Sequence, residues 1–387
     1  MLKMKRLISI LFIAVALSGC ATTSHYETGF ITRKPKKREE STFVNWMKYT
    51  FFYQGQQMLN PERVFRKLIG CPKQAINIDE NGQVPDNSFY TNRDISTMTL
   101  DDIRRGPCQG AGPVGKISIS KVKETGVAPG FFGRDETGTM YLFKFDPPGY
   151  TELATGAEIV GNRILYALGY YVPQMWLVTV EGTGDERFDG KRAMASKFLE
   201  GELLGFFRYN NHIHRRELRA LKVAQGWINN TDCKDANTIV VWRRGVAYNY
   251  LIDFNSSLGS DGHGPKDPSR GWENTWDFKE FFTDLVTFDL DKEPYDKGAK
   301  PFSPAVGLFD ANLDPRRWEP NYPNTAFEEM TDEDARWMAS KIAGFTDEKI
   351  RAAVEAGEYS RQEDEDYIVD ILIKRRDIIL KTYGVKE

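Results

Sequence analysis

The sequence predicts an α+β fold of two unequal lobes, a small sheet carrying one helix followed by a larger, mainly helical part. Three observations predict it. From Gly115 to about residue 205 short alternating runs are broken by glycines, as strands are. One apolar stripe of helical period interrupts them at 151–168. The last third carries capped, dipole-matched helical segments.

The chain opens with "MLKMKRLISILFIAVALSGC", which reads as a targeting segment. Lys3, Lys5 and Arg6 form its positive end, and Leu7 to Leu17 is an apolar run of eleven residues, short of the ~20 a helix needs to cross a bilayer. "LSGC" resembles the lipobox of bacterial lipoproteins, so residues 1–19 are expected to be removed and Cys20 to carry lipid. The other reading is an ordinary signal peptide with a Cys near its end. Ala21, where inner-membrane lipoproteins usually have Asp, points to the outer membrane, with acyl chains holding the protein at the surface of the cell envelope.

In that oxidising setting Cys71 and Cys108 could pair, leaving Cys233 odd. Of the 387 residues, 41% are hydrophobic and 28% charged, enough for a large domain or two moderate ones. The net charge of −3 offers no basic field for nucleic acid, and no internal repeat is visible.

Residues 20–42 are polar and basic, as a tether would be. Residues 43–115 read as an N-terminal extension. Val44, Met47 and Phe51 recur at helical spacing, and "NPER" from Asn60 offers an N-cap with Pro at the first turn; beyond it the text is loop-like to Gly115. Then "GKISISKVK" alternates, "GVAPGFFGRDETG" reads as a glycine-bearing turn, and "TMYLFKFD" as an apolar strand. A strand, a Gly-rich turn with Gly126 and Gly130, and a strand bearing Lys144 open a nucleotide-binding lobe. Alternation puts Phe143 and Phe145 on one face and Lys144 on the other, aimed at phosphates; a solvent-facing edge-strand Lys is the plainer alternative.

"TELATGAEIVGNRILYALGYYVP" sets Leu153, Ala157, Val160, Ile164 and Leu168 on one stripe, ending at Gly169. Glu158, in mid-helix, is placed to hold Lys144, while Glu152 in the first turn also suits the helix dipole; either would otherwise be an exposed helix Glu. "VPQMWLVTV" and "KRAMASKFLEG" read as further strands, leading to a hinge at "EGELLG". "RRELRALKVAQGWINNTD" is a helix with Leu218, Leu221, Val223 and Trp227 on its apolar side.

That helix delivers the chain to Asp232, which with Lys234 and Asn237 stands as D-x-K-x-x-N, and after two short strands around "RRG" comes "IDF" with Asp253. Phosphoryl transfer needs oxygens for a divalent cation and a carboxylate beside the acceptor hydroxyl, and a hairpin brings such residues together. Asp and Asn also simply begin turns. The acid could alternatively be Asp235, three residues on in the same loop.

With "YLFKFDPPGY", "GAE", "WINNTDCKDAN" and "YLIDFNSSLGS" in this order, the chain from about Gly115 to Gly259, and more loosely to the C-terminus at 387, resembles the atypical kinase-like fold of HipA-type toxin kinases, phosphatidylinositol 3/4-kinases and secretory-pathway protein kinases. The resemblance implies lobes at about 116–205 and 206–387, ATP with magnesium or manganese, Asp232 as base, Lys144 and Glu158 at the nucleotide, and Asn237 and Asp253 as metal ligands. It leaves the acceptor open, and also a catalytically inactive binding or structural lipoprotein. The chain departs from the protein-kinase pattern in four places. Asn230-Thr231 replace His-Arg, "GVAPGFFG" replaces G-x-G-x-x-G, Asn255 replaces the Gly of D-F-G, and no A-P-E follows it.

His212 and His214 have no third ligand at metal spacing and read as surface residues. The aromatic region 259–323 either packs the large lobe or lines an acceptor groove. "TDEDARWMASKIAGF", "TDEKIRAAVEAG" and "EDEDYIVDILIKRRDIILKTYG" complete the chain as helices.

Overall fold

The computed structural model describes residues 28–39, 41–123, 129–275 and 294–386. The expected targeting segment, Cys20, the first part of the expected tether, Gly126 and, within the aromatic region, residues 276–293 lie outside them. Within them the fold is α+β, with an antiparallel sheet in the first part and helices in the second.

Strands β1 (Ser118–Val122), β2 (Gly130–Arg134), β3 (Met140–Phe145), β4 (Met175–Thr179) and β5 (Arg192–Lys197) form one sheet in the order β1-β2-β3-β5-β4, every pair antiparallel. One face gathers Phe131, Phe143, Phe145 and Phe188 into a small aromatic core, with Phe131 and Phe143 stacked at 4.8 Å. The other face meets the long helix. Among the described residues, the expected turn "GVAPGFFGRDETG" contains β2 and, in its last part, a turn where Asp135 accepts from the amides of Thr137 and Thr139 at 3.0 Å each. Gly130 looks like a turn residue but sits in the strand because its neighbour is close: a Cβ there would lie 2.2 Å from the Phe143 carbonyl oxygen.

Helix α5 (Leu153–Ala167) is buried almost all round, its stripe Leu153, Ala157, Val160 and Ile164 included, so it works as a core helix wedged between the sheet and the large lobe. Glu152 stands at its N-cap with φ of 74° and makes no side-chain cap. The cap comes from Asp146, whose carboxylate accepts from the amides of Ala154 (2.9 Å) and Thr155 (2.8 Å).

A second sheet, β6 (Glu202–Leu203), β7 (Thr238–Arg243) and β8 (Val246–Leu251), follows the link between the lobes. Its β7–β8 hairpin turns through Arg244 and Gly245, both at positive φ (50° and 78°), the backbone a two-residue primed turn requires. The N-terminal strap 28–39 lies on this sheet. The Ile31 carbonyl accepts from Ala247 N (2.9 Å), Arg38 N donates to Leu204 O (2.9 Å), and Lys34 pairs with Glu202 at 2.5 Å.

In the large lobe, α6 (Arg216–Trp227) is buried along its whole length. On it pack α7 (Thr325–Glu328), α8 (Asp332–Ile342) and α10 (Gln362–Tyr383), while α9 (Asp347–Glu355) packs on α10 and α5, with Thr331 and Thr346 capping as expected and Gly384 closing the last at φ of 65°. Trp227 Nε1 donates to Leu372 O at 2.9 Å.

The extension holds α1 (Thr42–Met47), a π turn at 48–52, α2 (Tyr53–Met58), α3 (Pro61–Leu68, with Asn60 as its N-cap) and α4 (Leu100–Arg105). The expected stripe Val44, Met47 and Phe51 is not its packing face: Val44 and Met47 are exposed, and Asn45, Tyr49 and Tyr53 turn inward. The π turn inserts the extra residue that rotates the pattern.

Two further expectations are corrected. Cys71, Cys108 and Cys233 are all free, because Cys108 is buried with its thiol on the Met175 carbonyl (3.0 Å) while Cys71 is exposed beyond α3. His212 and His214 are not surface residues: His214 is buried, and His212 packs against Phe89 at 4.7 Å.

Candidate functional site

Alternation along β3 sends Phe143 and Phe145 into the aromatic core, so Lys144 leaves the opposite face. There its Nζ donates to both Glu158 oxygens (2.9 and 3.3 Å) and to Asp253 Oδ1 (2.8 Å). Lys144 and Glu158 are buried. Burial works against the lysine's charge, but the carboxylates of Asp253 and Glu158 outweigh it and raise its pKa above the ordinary value. Burial raises the Glu158 carboxyl against the opposing pull of Lys144; at Asp253 Lys144 overcomes burial and lowers it. Glu152 takes no part, since its carboxylate accepts from Ser360 N at 3.0 Å and Ser360 Oγ at 3.2 Å.

Asp253 reaches this position through a strained backbone, at φ of 64°. Helix α5 comes close to the segment that follows because residue 161 is glycine: a Cβ there would lie 3.1 Å from Phe254 Cβ and 3.0 Å from Ser257 Oγ. The register of β7 and β8 pairs Thr238 with Leu251, and Ile252 N donates to Asn237 O at 3.0 Å, so Asn237 and Asp253 emerge side by side from neighbouring strand ends.

Below them lies the loop 228–237. Asn237 Nδ2 donates to Asp232 O (2.7 Å) and Oδ2 (3.0 Å), leaving its amide oxygen as the atom for a cation. Lys234 donates to both Asp232 oxygens at 2.8 Å. Burial lowers the Lys234 pKa, and Asp232 more than compensates, so it is raised. Asp235 faces away: it is buried, and its Oδ1 accepts from Tyr209 N at 3.1 Å. Of the two acids only half-buried Asp232 borders the cleft with Asn237.

The structure thus brings Lys144, Glu158 and Asp253 into one cluster and Asp232, Lys234 and Asn237 into another beside it. Gly130 is opposite Lys144 in the β2–β3 register. An Asp carboxylate and an Asn amide oxygen suit a magnesium or manganese ion that takes its remaining oxygens from phosphates and water.

Sequence reasoning missed two lysines. Lys123, at the end of β1, is half-buried within the field of Lys144, Asp253 and Glu158; burial and then Lys144 lower its pKa. Lys266 is buried behind the loop, its Nζ donating to Thr231 Oγ1 (3.0 Å) and Ser256 O (2.8 Å). Thr231 N also donates to Ser256 O (3.2 Å), so Lys266 joins the residue before Asp232 to the segment after Asp253. Burial pulls its pKa down to about 8. For Lys123 the strand alternation was the available signal; Lys266, in the irregular "GHGPKDPSR", had none.

No family model and no curated protein matches the chain. Among solved structures it is similar to the Helicobacter pylori proinflammatory kinase CtkA, at 13% identity and a TM-score of 0.43 over 70% of this chain and 97% of that one. It is similar to a Golgi casein kinase at 10% identity and 0.34, over 94% of each chain. A third similarity, also 10% and 0.34, covers 90% of this chain and 84% of HipA from a Shewanella oneidensis MR-1 toxin–antitoxin complex with HipB and operator DNA.

Proposed function

We propose that the chain is an exported, lipid-anchored phosphotransferase of the kinase-like kind, using ATP with magnesium or manganese, its lobes 116–205 and 206–387 closing on the nucleotide. One observation carries this reading: a buried lysine on a strand is held by a helix glutamate and reaches an aspartate that emerges beside Asn237 and the Asp232 loop. Lys144 would contact phosphate, with Glu158 fixing its direction; Gly130, and Gly126 in the preceding turn, would let backbone approach the nucleotide. Asn237 and Asp253 would hold the metal, which would supply positive charge beside the phosphates. Asp232 would accept the acceptor hydroxyl's proton as its oxygen bonds to phosphorus and the bond to the departing nucleotide breaks. Nucleotidyl transfer uses the same donors. Cys20 would carry the lipid and hold the chain at the outer membrane.

A second reading has its own support. Both Asp232 oxygens accept from Lys234, so the carboxylate that would serve as base is already paired. The envelope is also poor in ATP.

Thermal shift with ATP and either metal, followed by transfer of labelled phosphate, tests both readings. Asp253→Ala is expected to lose binding and transfer. Asp232→Ala is expected to keep nucleotide affinity within a few fold and to lose roughly 10²–10⁴-fold in transfer. No metal-dependent shift in the wild type would end the nucleotide reading; binding without transfer would establish the second.

A further inference from the structure

The N-terminal helical layer turns a greasy face outward. Of the seventeen large apolar side chains that stand exposed among the described residues, nine fall between 43 and 69. That concentration marks a surface built to meet something apolar, since scattered exposure needs no explanation and a cluster does. Phe43 is 68% exposed, Phe52 63%, Leu59 83%, Leu68 79% and Ile69 53%. Phe43 and Trp46 lie 5.8 Å apart and Trp46 and Phe51 5.4 Å, a continuous aromatic group at one end of the layer. The inward side is satisfied elsewhere: Tyr49 packs on Tyr322, and Arg63 pairs with Glu328 and Glu329.

Charge identifies the partner. Besides the inward Arg63, residues 43–69 hold Lys48, Arg66 and Lys67 against Glu62 alone, a basic balance in a chain whose total is −3. Apolar side chains among cations match a bilayer interface bearing anionic headgroups, where rings and leucines enter the acyl boundary and lysines and arginines meet phosphate. Reach agrees. From Cys20 to Thr28, where the strap begins on the folded body, are eight residues, which span at most roughly 28 Å. A body on so short a leash rests on the membrane that anchors it, and one acyl-bearing site gains stable residence from a second contact.

We propose that the outer face of residues 43–69 seats the protein on a phospholipid surface containing anionic lipid. The leash argument rests on the reading of Cys20 as a lipid anchor; the surface and its charge do not.

The test uses the full chain on phosphatidylethanolamine vesicles with phosphatidylglycerol as the minor component, the phosphatidylethanolamine carrying brominated acyl chains. Trp46 fluorescence is expected to be quenched, and Trp46→Phe to remove the quenched component. The triple variant Phe52→Asp, Leu59→Asp, Leu68→Asp alters exposed positions only and is expected to lose that quenching, with partitioning of the face weakened at least about tenfold. Quenching absent in the wild type, undiminished in the triple variant, or arising from a tryptophan other than Trp46 would overturn the proposal. So would self-association in solution that the triple variant abolishes, because a second copy would then be the occupant. Vesicle flotation of Cys20→Ser separates the two readings. Flotation equal to wild type refutes the anchor, while the seating stands or falls on the Trp46 signal alone.

Discussion

The two walls of the candidate site hold their charges differently. On the sheet side Lys144 and Glu158 are nearly inaccessible, with side-chain exposures of 8% and 2%. On the loop side Lys234 and Asp232 keep 23% and 18%. A buried pair is set by the fold and cannot rearrange without leaving a charge stranded in a poor dielectric. A half-open pair can exchange its partner for water or for an incoming phosphate at small expense. The sheet wall is therefore the fixed part of the site, and the loop wall the part that can respond to an acceptor.

The largest expected effect breaks the fixed wall. Lys144→Met leaves Glu158 and Asp253 facing each other uncompensated and should destabilise the fold by about 3–5 kcal/mol, read by urea denaturation; adding Glu158→Gln should restore part of it. Equal stability in Lys144→Met and wild type would mean the pair is not buried as described.

The next expectation concerns Lys266 behind the loop wall, and its sign follows from its lowered pKa. Between about 8 in the folded protein and about 10.4 unfolded, the unfolded chain binds more protons, so stability should rise with pH across that window. The gain is on the order of 3 kcal/mol, and below pH 8 the full penalty is present. Lys266→Met should remove the rise. A flat wild-type profile between pH 8 and 10 would contradict the burial argument.

A smaller effect tests what holds the fixed wall in place. Asp146→Ala removes the distant cap of α5, and about 1–2 kcal/mol of stability should go with it. Nucleotide affinity should fall too, because Glu158 rides on that helix. The smallest effect is on the responsive wall: Lys234→Ala should change thermal stability by less than about 1 kcal/mol while altering transfer, in contrast to the large stability loss of Lys144→Met.

Features written in neighbouring residues were legible in the sequence. Strand alternation gave the direction of Lys144, the apolar stripe placed Glu158 in mid-helix, and the spacing of Asp232, Asn237 and Asp253 around a hairpin brought those three together. What stayed hidden depends on partners far along the chain. Gly130 reads as a turn until the Phe143 carbonyl is seen against it. Asp146 caps a helix from seven residues upstream of Leu153, outside any local capping pattern. Val44 and Met47 keep a helical period, but the period alone does not say which side of a helix faces the body, and a π turn alters the phase. The thiols of Cys71 and Cys108 required a spatial relation that spacing does not contain.

The strap across the second sheet has a mechanical consequence. A pull on the chain from upstream of Thr28 is met first by the Arg215 guanidinium on the Thr28 carbonyl, then at Ile31 on β8, then at Lys34 and Arg38 on Glu202 of β6 and Leu204 just beyond it. Tension is thus spread over four fixings on the folded body before any of it reaches Thr42. The strap serves as strain relief: a pull loads these fixings one after another and spares the helices of the extension that follow.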